Sequence, residues 1–373
     1  ELHTIRLAHG MTELNDEYKA MFHGKASGIS LDSKDDDKGN SKNIIVHEWF
    51  EGRKQSLLAD FVIATIDQFL LASLKQKHVM LRHLGLSGKV VILDECHAYD
   101  SYMNVYLDRT LTWMGAYGVP VIVLSATLPP KRRDELIRAY MNKPGKIEGY
   151  DDTSAYPILT SAIDGKVTHM ALSCDVPVKK ISVNDIREED LAGYLRGKLE
   201  DGGCAAVIVN TVAYAQELSR TLKSELKDFR IVCFHSRFIA TDRAEIEKKL
   251  LRDVGKNSTP DTRDKLIVVG TQVIEQSLDL DFDTMITELC PMDLLLQPSG
   301  RLHRHDRKRP PNCEEPVLAI LRPSEPKRSI YDEWILQRTQ KYLPDVLVVP
   351  SDIPELVSKV YADPEYPTAQ LEH

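Results

Sequence analysis

The chain is expected to be an α/β protein of two successive domains, each a parallel sheet wrapped by helices. Three observations carry this expectation. Short β-branched runs at residues 61–65, 90–93 and 121–124 are separated by helical patterns over 66–81 and 103–118. After a less regular stretch over 145–180, strand-like runs resume at 205–209, 231–234, 266–269 and 317–321. A length of 373 residues, 42% hydrophobic and 28% charged, also exceeds what one ordinary core holds. The boundaries are drawn at 1–175, 176–330 and 331–373. The last of these carries one amphipathic helix pattern followed by Pro344, Pro350, Pro354 and Pro364, which suggests a short C-terminal strap. The polar tracts 33–40 and 255–260 lack periodicity and are expected to be solvated loops. No short internal repeat is present.

Lys and Arg total 48 against 56 Asp and Glu, a net charge of −8, which excludes a chain that grips nucleic acid by bulk charge. Any such contact must be a local patch. Six scattered cysteines (Cys96, Cys174, Cys204, Cys233, Cys290, Cys313) include no Cys-x-x-Cys pair and fit reduced thiols. No apolar run approaches the roughly 18 residues of a membrane span, and no basic-then-apolar leader opens the chain. A soluble, cytoplasmic protein is expected. Glu1 is not a methionine, and Leu371-Glu372-His373 looks like a tag junction, so the sequence reads as a piece of something longer.

The run 90–93 ends in Asp94-Glu95-Cys96-His97, two carboxylates at the carboxyl end of a buried strand, the usual ligand edge of such a sheet. There an Asp can hold Mg²⁺ through its waters, and a Glu can orient and deprotonate the water that attacks a γ-phosphate. A solvated acidic turn explains these four residues equally well. About thirty residues on, the next strand ends in Ser125-Ala126-Thr127. Adjacent strands would put both motifs at one edge, with Ser125 and Thr127 sensing the nucleotide; alternatively they cap the helix from Lys131. In the second half, 270–279 and 297–304 each follow a strand. Arg301 and Arg304, three apart, are expected on one helix face, where guanidiniums can neutralise charge growing on a triphosphate. The alternative is that Arg301, Arg304, Arg307 and Arg309 form a solvated basic turn.

The ordered series Asp94 to His97, Ser125 to Thr127, Thr271 to Asp279 and Gln297 to Arg304 resembles the superfamily 2 helicases. More narrowly, residues 64–68, 94–100, 124–129, 234–238 and 300–305 resemble the helicase core of the type I CRISPR-associated helicase-nuclease, over most of 8–361. The resemblance implies two RecA-like domains, the first truncated at its amino terminus, hydrolysing ATP between them. It implies a motor that reels single-stranded DNA 3′ to 5′ in antiviral defence, recruited to a DNA-bound surveillance complex. Carried over by residue, Asp94 binds Mg²⁺, Glu95 activates water, and Arg301 and Arg304 face the γ-phosphate, with Asp279 and Gln297 in the same cleft. Ser125 and Thr127 couple the sites. Thr65, Asn210, Thr211, His235, Ser236, Arg237 and Thr271 touch the DNA backbone without reading sequence.

The sequence also departs from that pattern. No Gly-Lys pair is followed by Ser or Thr, and Gly24-Lys25-Ala26-Ser27 lacks both the earlier glycine and the metal-binding hydroxyl. The family's phosphate loop lies upstream of a segment like Ala8-His9-Gly10, and its metal-dependent nuclease domain lies upstream as well. His305-Asp306 is too small for a metal site and reads as the end of the arginine turn. Pro298 stands where the family commonly has Arg, and Cys96 where it often has Val. The family's carboxyl-terminal domain would begin where this chain stops. The fragment alone is expected to be inactive, with part of its first sheet uncovered. Two further readings stay open: a non-catalytic module that binds single strands or a partner, and an RNA helicase of the same superfamily.

Overall fold

Strands that read Cys-Ala-Ala-Val-Ile or Leu-Ile-Val-Val-Gly have no polar face to offer water, so they belong inside a sheet covered on both sides. The computed structural model describes residues 3–8, 44–45, 55–96, 101–143, 155–173, 177–274, 278–324 and 330–361. Within it those two runs are β9 (Cys204–Ile208) and β11 (Leu266–Gly270), buried along their whole length. The described residues fall into two compact units, the first within Glu1–Thr153 and Leu159–Met170, the second within Ser154–Ile158 and Ala171–His373.

The second unit is built on a seven-stranded sheet. With β8 (Lys179–Arg187), β10 (Arg230–Phe234), β12 (Thr284–Glu288), β13 (Val317–Arg322) and β14 (Val346–Val349), its order is β10-β11-β9-β12-β13-β8-β14. All pairings are parallel except β14 against β8 at the edge. Alternate residues feed two cores. Ala206, Ile208 and Val268 point to one, with Phe282, Leu295 and Leu356; Ala205, Val207 and Ile267 point to the other, with Tyr214, Leu218 and Leu222.

In the first unit, β1 (His3–Ala8) lies parallel between β2 (Ile44–Ile45) and β3 (Phe61–Ala64). A separate parallel pair holds β4 (Val91–Leu93) and β5 (Val121–Val123). Helix Ser101–Tyr117 buries Leu107, Leu111 and Met114, and it approaches helix Pro130–Met141 so closely that a Cβ on Gly115 would meet the Tyr140 carbonyl oxygen at 1.8 Å. Phe61, Ile63, Val90, Ile92, Ile122 and Leu124 are exposed.

The expected α/β class with parallel sheets holds. Several local expectations do not. The helical pattern over 66–81 is broken: helix Ile66–Leu70 tightens into the 3₁₀ turn Leu71–Ser73, and helix Val79–Ser87 starts afresh after His78 in the left-handed region. The stretch 145–180 contains a hairpin of β6 (Ile158–Ile163) and β7 (Lys166–Ala171), turned by Asp164 and Gly165, both at positive φ. The tail is not an external strap. Helix Glu333–Tyr342 leads to β14 in the sheet, and helix Ile353–Tyr361 buries Leu356, Val357 and Val360 in one of the cores. The Gly255–Pro260 tract is likewise tied down, Thr259 forming a capping box with Thr262. The tract 33–40, Gly24-Lys25, His9-Gly10, His97, Cys174 and the residues after Tyr361 lie outside the described residues.

Candidate functional site

In the first unit, β4 and β5 run side by side in register, Leu93 opposite Val123, so their carboxyl-terminal turns emerge together. The Leu124 amide donates to the Leu93 carbonyl at 2.8 Å, and the Cys96 amide to the Leu124 carbonyl at 3.0 Å. These bonds stitch the acidic turn to the Ser-Ala-Thr turn. Glu95 is held at a left-handed φ of 54°, its amide donating to Asp94 Oδ1 at 3.0 Å, and both carboxylates are exposed while Cys96 is buried beneath them. Burial pushes the Cys96 thiol up to about 11.

The hydroxyls of Ser125 and Thr127 are buried without a hydrogen-bond partner among the described residues. Helix Pro130–Met141 begins after Pro129 with no side-chain cap, so the alternative of these hydroxyls as caps falls away. Two orphaned hydroxyls beside two exposed carboxylates fit a ligand that brings its own acceptors and a hydrated cation. Thr65 stands elsewhere in this unit, exposed at the carboxyl end of β3, ahead of helix Ile66–Leu70.

In the second unit the remaining candidates separate to opposite edges of the sheet. Phe234, Gly270 and Ile208 are in register, so the turns after β10, β11 and β9 sit together at the carboxyl-terminal edge with His235 to Arg237, Thr271, Asn210 and Thr211. A Cβ at Gly270 would meet the Phe234 carbonyl oxygen at 2.1 Å, which explains glycine there. Asn210 is spent inside the protein: its side-chain nitrogen donates to the Leu289 carbonyl at 2.9 Å, and its oxygen accepts from Gln272 at 3.3 Å. Thr211 accepts from the Tyr214 amide at 3.2 Å and so caps helix Val212–Glu225. His235 is 4% exposed, stacked on Phe238, with one ring nitrogen against Gln216 at 3.0 Å and the other accepting from the Arg237 amide. Burial lowers its pKa. Thr271 is buried as well, which leaves Ser236 and Arg237 as the exposed members of this edge.

Asp279, Arg301 and Arg304 lie at the other, amino-terminal edge, because Phe282 precedes β12 and pairs with Leu302 in an isolated parallel bridge. The expectation that Arg301 and Arg304 share a helix face is overturned. Helix Met292–Ser299 ends at Gly300, and the chain then turns, with Leu302 in the bridge and His303 at a left-handed φ of 48°: the Phe282 amide donates to the Arg301 carbonyl and the His303 amide to the Phe282 carbonyl, an arrangement that buries Leu302. Arg304 Nε meets Asp279 Oδ1 at 2.6 Å, and His305 Nε2 reaches the same oxygen at 3.1 Å. Gln297 belongs to the helix that leads here, and its side-chain nitrogen is buried without a partner among the described residues.

The solvated basic turn is also overturned, since Arg307 and Arg309 fold inward. Arg309 donates to Asp283 at 2.7 Å and to Asp281 at 2.9 Å, and Arg307 pairs with Asp281 at 2.7 Å. Arg263 joins from a distant helix, 2.9 Å from Asp283. Sequence reasoning passed over Asp281, Asp283 and Arg263. The signal was present as three alternate aspartates, Asp279, Asp281 and Asp283, matched within one domain by four arginines from Arg301 to Arg309.

Two units of parallel strands, one presenting an acidic turn beside orphaned hydroxyls and the other an arginine segment, define a protein of the helicase-type α/β class with RecA-like domains. The family described as CRISPR-associated nuclease/helicase Cas3, C-terminal, matches residues 201–307. Over 371 residues the chain is 45% identical to the CRISPR-associated nuclease/helicase Cas3 of Streptococcus thermophilus, covering 96% of this chain and 39% of that protein. A crystal structure of T. fusca Cas3 with ADP superposes with a TM-score of 0.81 at 32% identity, over 97% of this chain and 43% of the other. A CRISPR RNA-guided surveillance complex captured before nicking contains a chain with a TM-score of 0.75 at 32% identity, over 96% and 45%. The chain belongs to the Cas3 family of CRISPR-associated nuclease/helicases and spans less than half the length of these relatives. No helix among the described residues is long and apolar enough to cross a membrane.

Proposed function

We propose that the chain is the helicase part of an ATP-driven, cytoplasmic motor of type I CRISPR defence, one that translocates 3′ to 5′ on single-stranded DNA. The observation that carries this reading is the acidic turn of β4 stitched to the orphaned hydroxyls after β5. A relative with ADP bound supports nucleotide as the ligand, and the surveillance complex supports a complex of that kind as the partner.

Asp94 would hold Mg²⁺ through water, and the ion, when bound, neutralises phosphate charge. Glu95 accepts a proton from the attacking water and orients it. Ser125 and Thr127, whose hydroxyls have no partner among the described residues, bond according to the state of the nucleotide and pass it on. Arg301 and Arg304 supply permanent positive charge where negative charge grows on the phosphoryl group, with Asp279 and Gln297 beside them. Thr65, Ser236 and Arg237 offer the exposed hydroxyls and charge for backbone phosphates, while Asn210, Thr211, His235 and Thr271 shape the turns that present them.

The test is ATP hydrolysis by the native protein, with and without single-stranded DNA. Turnover should disappear in Glu95→Gln with nucleotide binding kept, and Arg301→Ala should cost about 10³-fold. Normal turnover by either variant refutes the assignment. A second reading is a module that binds single strands without turnover. DNA affinity indifferent to an ATP analogue would select it.

A further inference from the structure

Beneath the arginine segment lies a group of buried charges that the proposed chemistry does not use. Asp281 and Asp283 are 0% and 1% exposed, and they are enclosed by Arg263, Arg307 and Arg309, whose side chains are 4%, 15% and 6% exposed. The partners come from three places in the sequence. Asp281 and Asp283 precede β12, Arg307 and Arg309 follow the motif, and Arg263 ends the short helix Pro260–Arg263. Arg263 spans both aspartates, 2.9 Å from Asp283 Oδ1 and 3.6 Å from Asp281 Oδ2. Asp281 Oδ1 accepts from the backbone amide of Arg304 at 2.8 Å, and Asp283 Oδ2 accepts from the amide of Cys204 at the start of β9.

Around this centre the segment is held on all sides. Arg309 donates to the His305 carbonyl, Arg307 donates to Ser258 and the Gly255 carbonyl, His303 donates to the Asp283 carbonyl, and Lys179 donates to the Leu302 carbonyl. A buried ionic cluster is a poor way to gain stability, because desolvating the charges offsets most of their attraction, and an apolar cluster of the same volume would serve as well. What it supplies is direction: each planar guanidinium fork fixes a carboxylate in orientation as well as position.

We infer that Arg263 is a positioning residue for Arg304. It locks Asp281 and Asp283 from outside the motif, and Asp281 in turn fixes the backbone from which the Arg304 side chain is delivered. This rests on the ATP reading only for the role of Arg304; the clamp itself is a property of the second unit.

The experiment is Arg263→Lys in the native protein, a change that keeps the charge but replaces the fork with one nitrogen that cannot span both aspartates. The expected result is a fall in kcat of about 10–100-fold with KM for ATP almost unchanged. In a double-mutant cycle, Arg263→Lys should add nothing to Arg304→Ala, because the two act on one group. Unchanged kcat, or losses that multiply, overturns the inference. Limited trypsin digestion reads the clamp without nucleotide: cleavage after Arg301 and Arg304 should quicken about tenfold in Arg263→Lys, as expected for a segment freed to open locally. Unchanged cleavage also overturns it. Turnover that survives Glu95→Gln would defeat the ATP reading and leave the digestion to judge the clamp. If Arg263→Lys does not fold, the charge-balanced pair Arg263→Met with Asp283→Asn carries the same readouts.

Discussion

At the carboxyl-terminal edge of the seven-stranded sheet, the turns after β9, β10 and β11 are held mainly by neutral groups, the Asn210 side-chain amide, the Thr211 cap and the stacked ring of His235, with one half-buried carboxylate, Glu288, accepting from the Asn210 backbone amide at 2.8 Å. At the amino-terminal edge, residues 301–309 are held by Arg263, Arg307 and Arg309 closing on Asp281 and Asp283. Neutral bonds are individually weak and can be exchanged at small cost, so that edge suits a surface that grips and releases a strand. Buried ions resist exchange because each displaced partner leaves an uncompensated charge, so that edge suits a group that must be delivered to one place. The two edges of one sheet are therefore held by different physical means.

The contrast predicts unequal responses to mutation. Asp281→Ala takes from Arg307 its carboxylate and leaves Arg263 and Arg309 to share Asp283, and it should destabilise the second unit by about 3–5 kcal/mol in urea unfolding. A loss under 1 kcal/mol would mean that the cluster is open to water and the contrast false. Acid should act next. Burial works against ionisation of Asp283, but Arg263, Arg309 and the Cys204 amide outweigh it and hold the carboxyl below 3.8, so its stabilisation is complete above that value and is lost as pH falls beneath it. Burial, helped by Arg309, lowers His303 below 6.5, and burial does the same to His235. Each binds its proton more readily in the unfolded chain, so stability is full above 6.5 and declines as pH drops through it. A stability profile should thus fall in two stages, the first diminished in His303→Asn; a first stage of undiminished size in that variant would exclude His303. The smallest effect belongs to the neutral edge: Thr211→Ala removes one helix cap and should cost about 1 kcal/mol, leaving the amino-terminal edge and its trypsin resistance unchanged.

Much of the fold is legible in the chain itself. The runs at 205–209, 266–269 and 317–321 fall on buried strands because residues without a polar face have only one place to go, and 231–234 falls on the half-buried edge strand β10. The Asp164-Gly165 hairpin was equally available, since a two-residue turn at positive φ favours that dipeptide, but the surrounding 145–180 stretch masked it. The break between Leu70 and Val79 was not available. Its apolar spacing satisfies a helix, and what ends the helix is a local turn in which the Gln76 side chain donates to the Leu71 carbonyl. The tail misled for a related reason: its prolines suggest a strap, yet Val346–Val349 needed only an open edge on β8 to become a strand.

For the candidate sites, sequence alone determined which residue types stand where the proposed chemistry would need them. Asp94 and Glu95 close one strand, Ser125 and Thr127 close another, and arginines gather in one segment, because charge, hydroxyls and strand periodicity are properties of the residues themselves. Only the tertiary structure decided how they are used. Pairing of β4 with β5 put carboxylates near hydroxyls that have no partner among the described residues, and the bridge from Phe282 to Leu302 drew Arg301 and Arg304 off a helix. Burial turned Arg307, Arg309 and Arg263 from surface charges into a clamp. The physical reason is that the pairing energy of a charge depends on its solvent and on its partner's position, and both are set by parts of the chain far away in sequence.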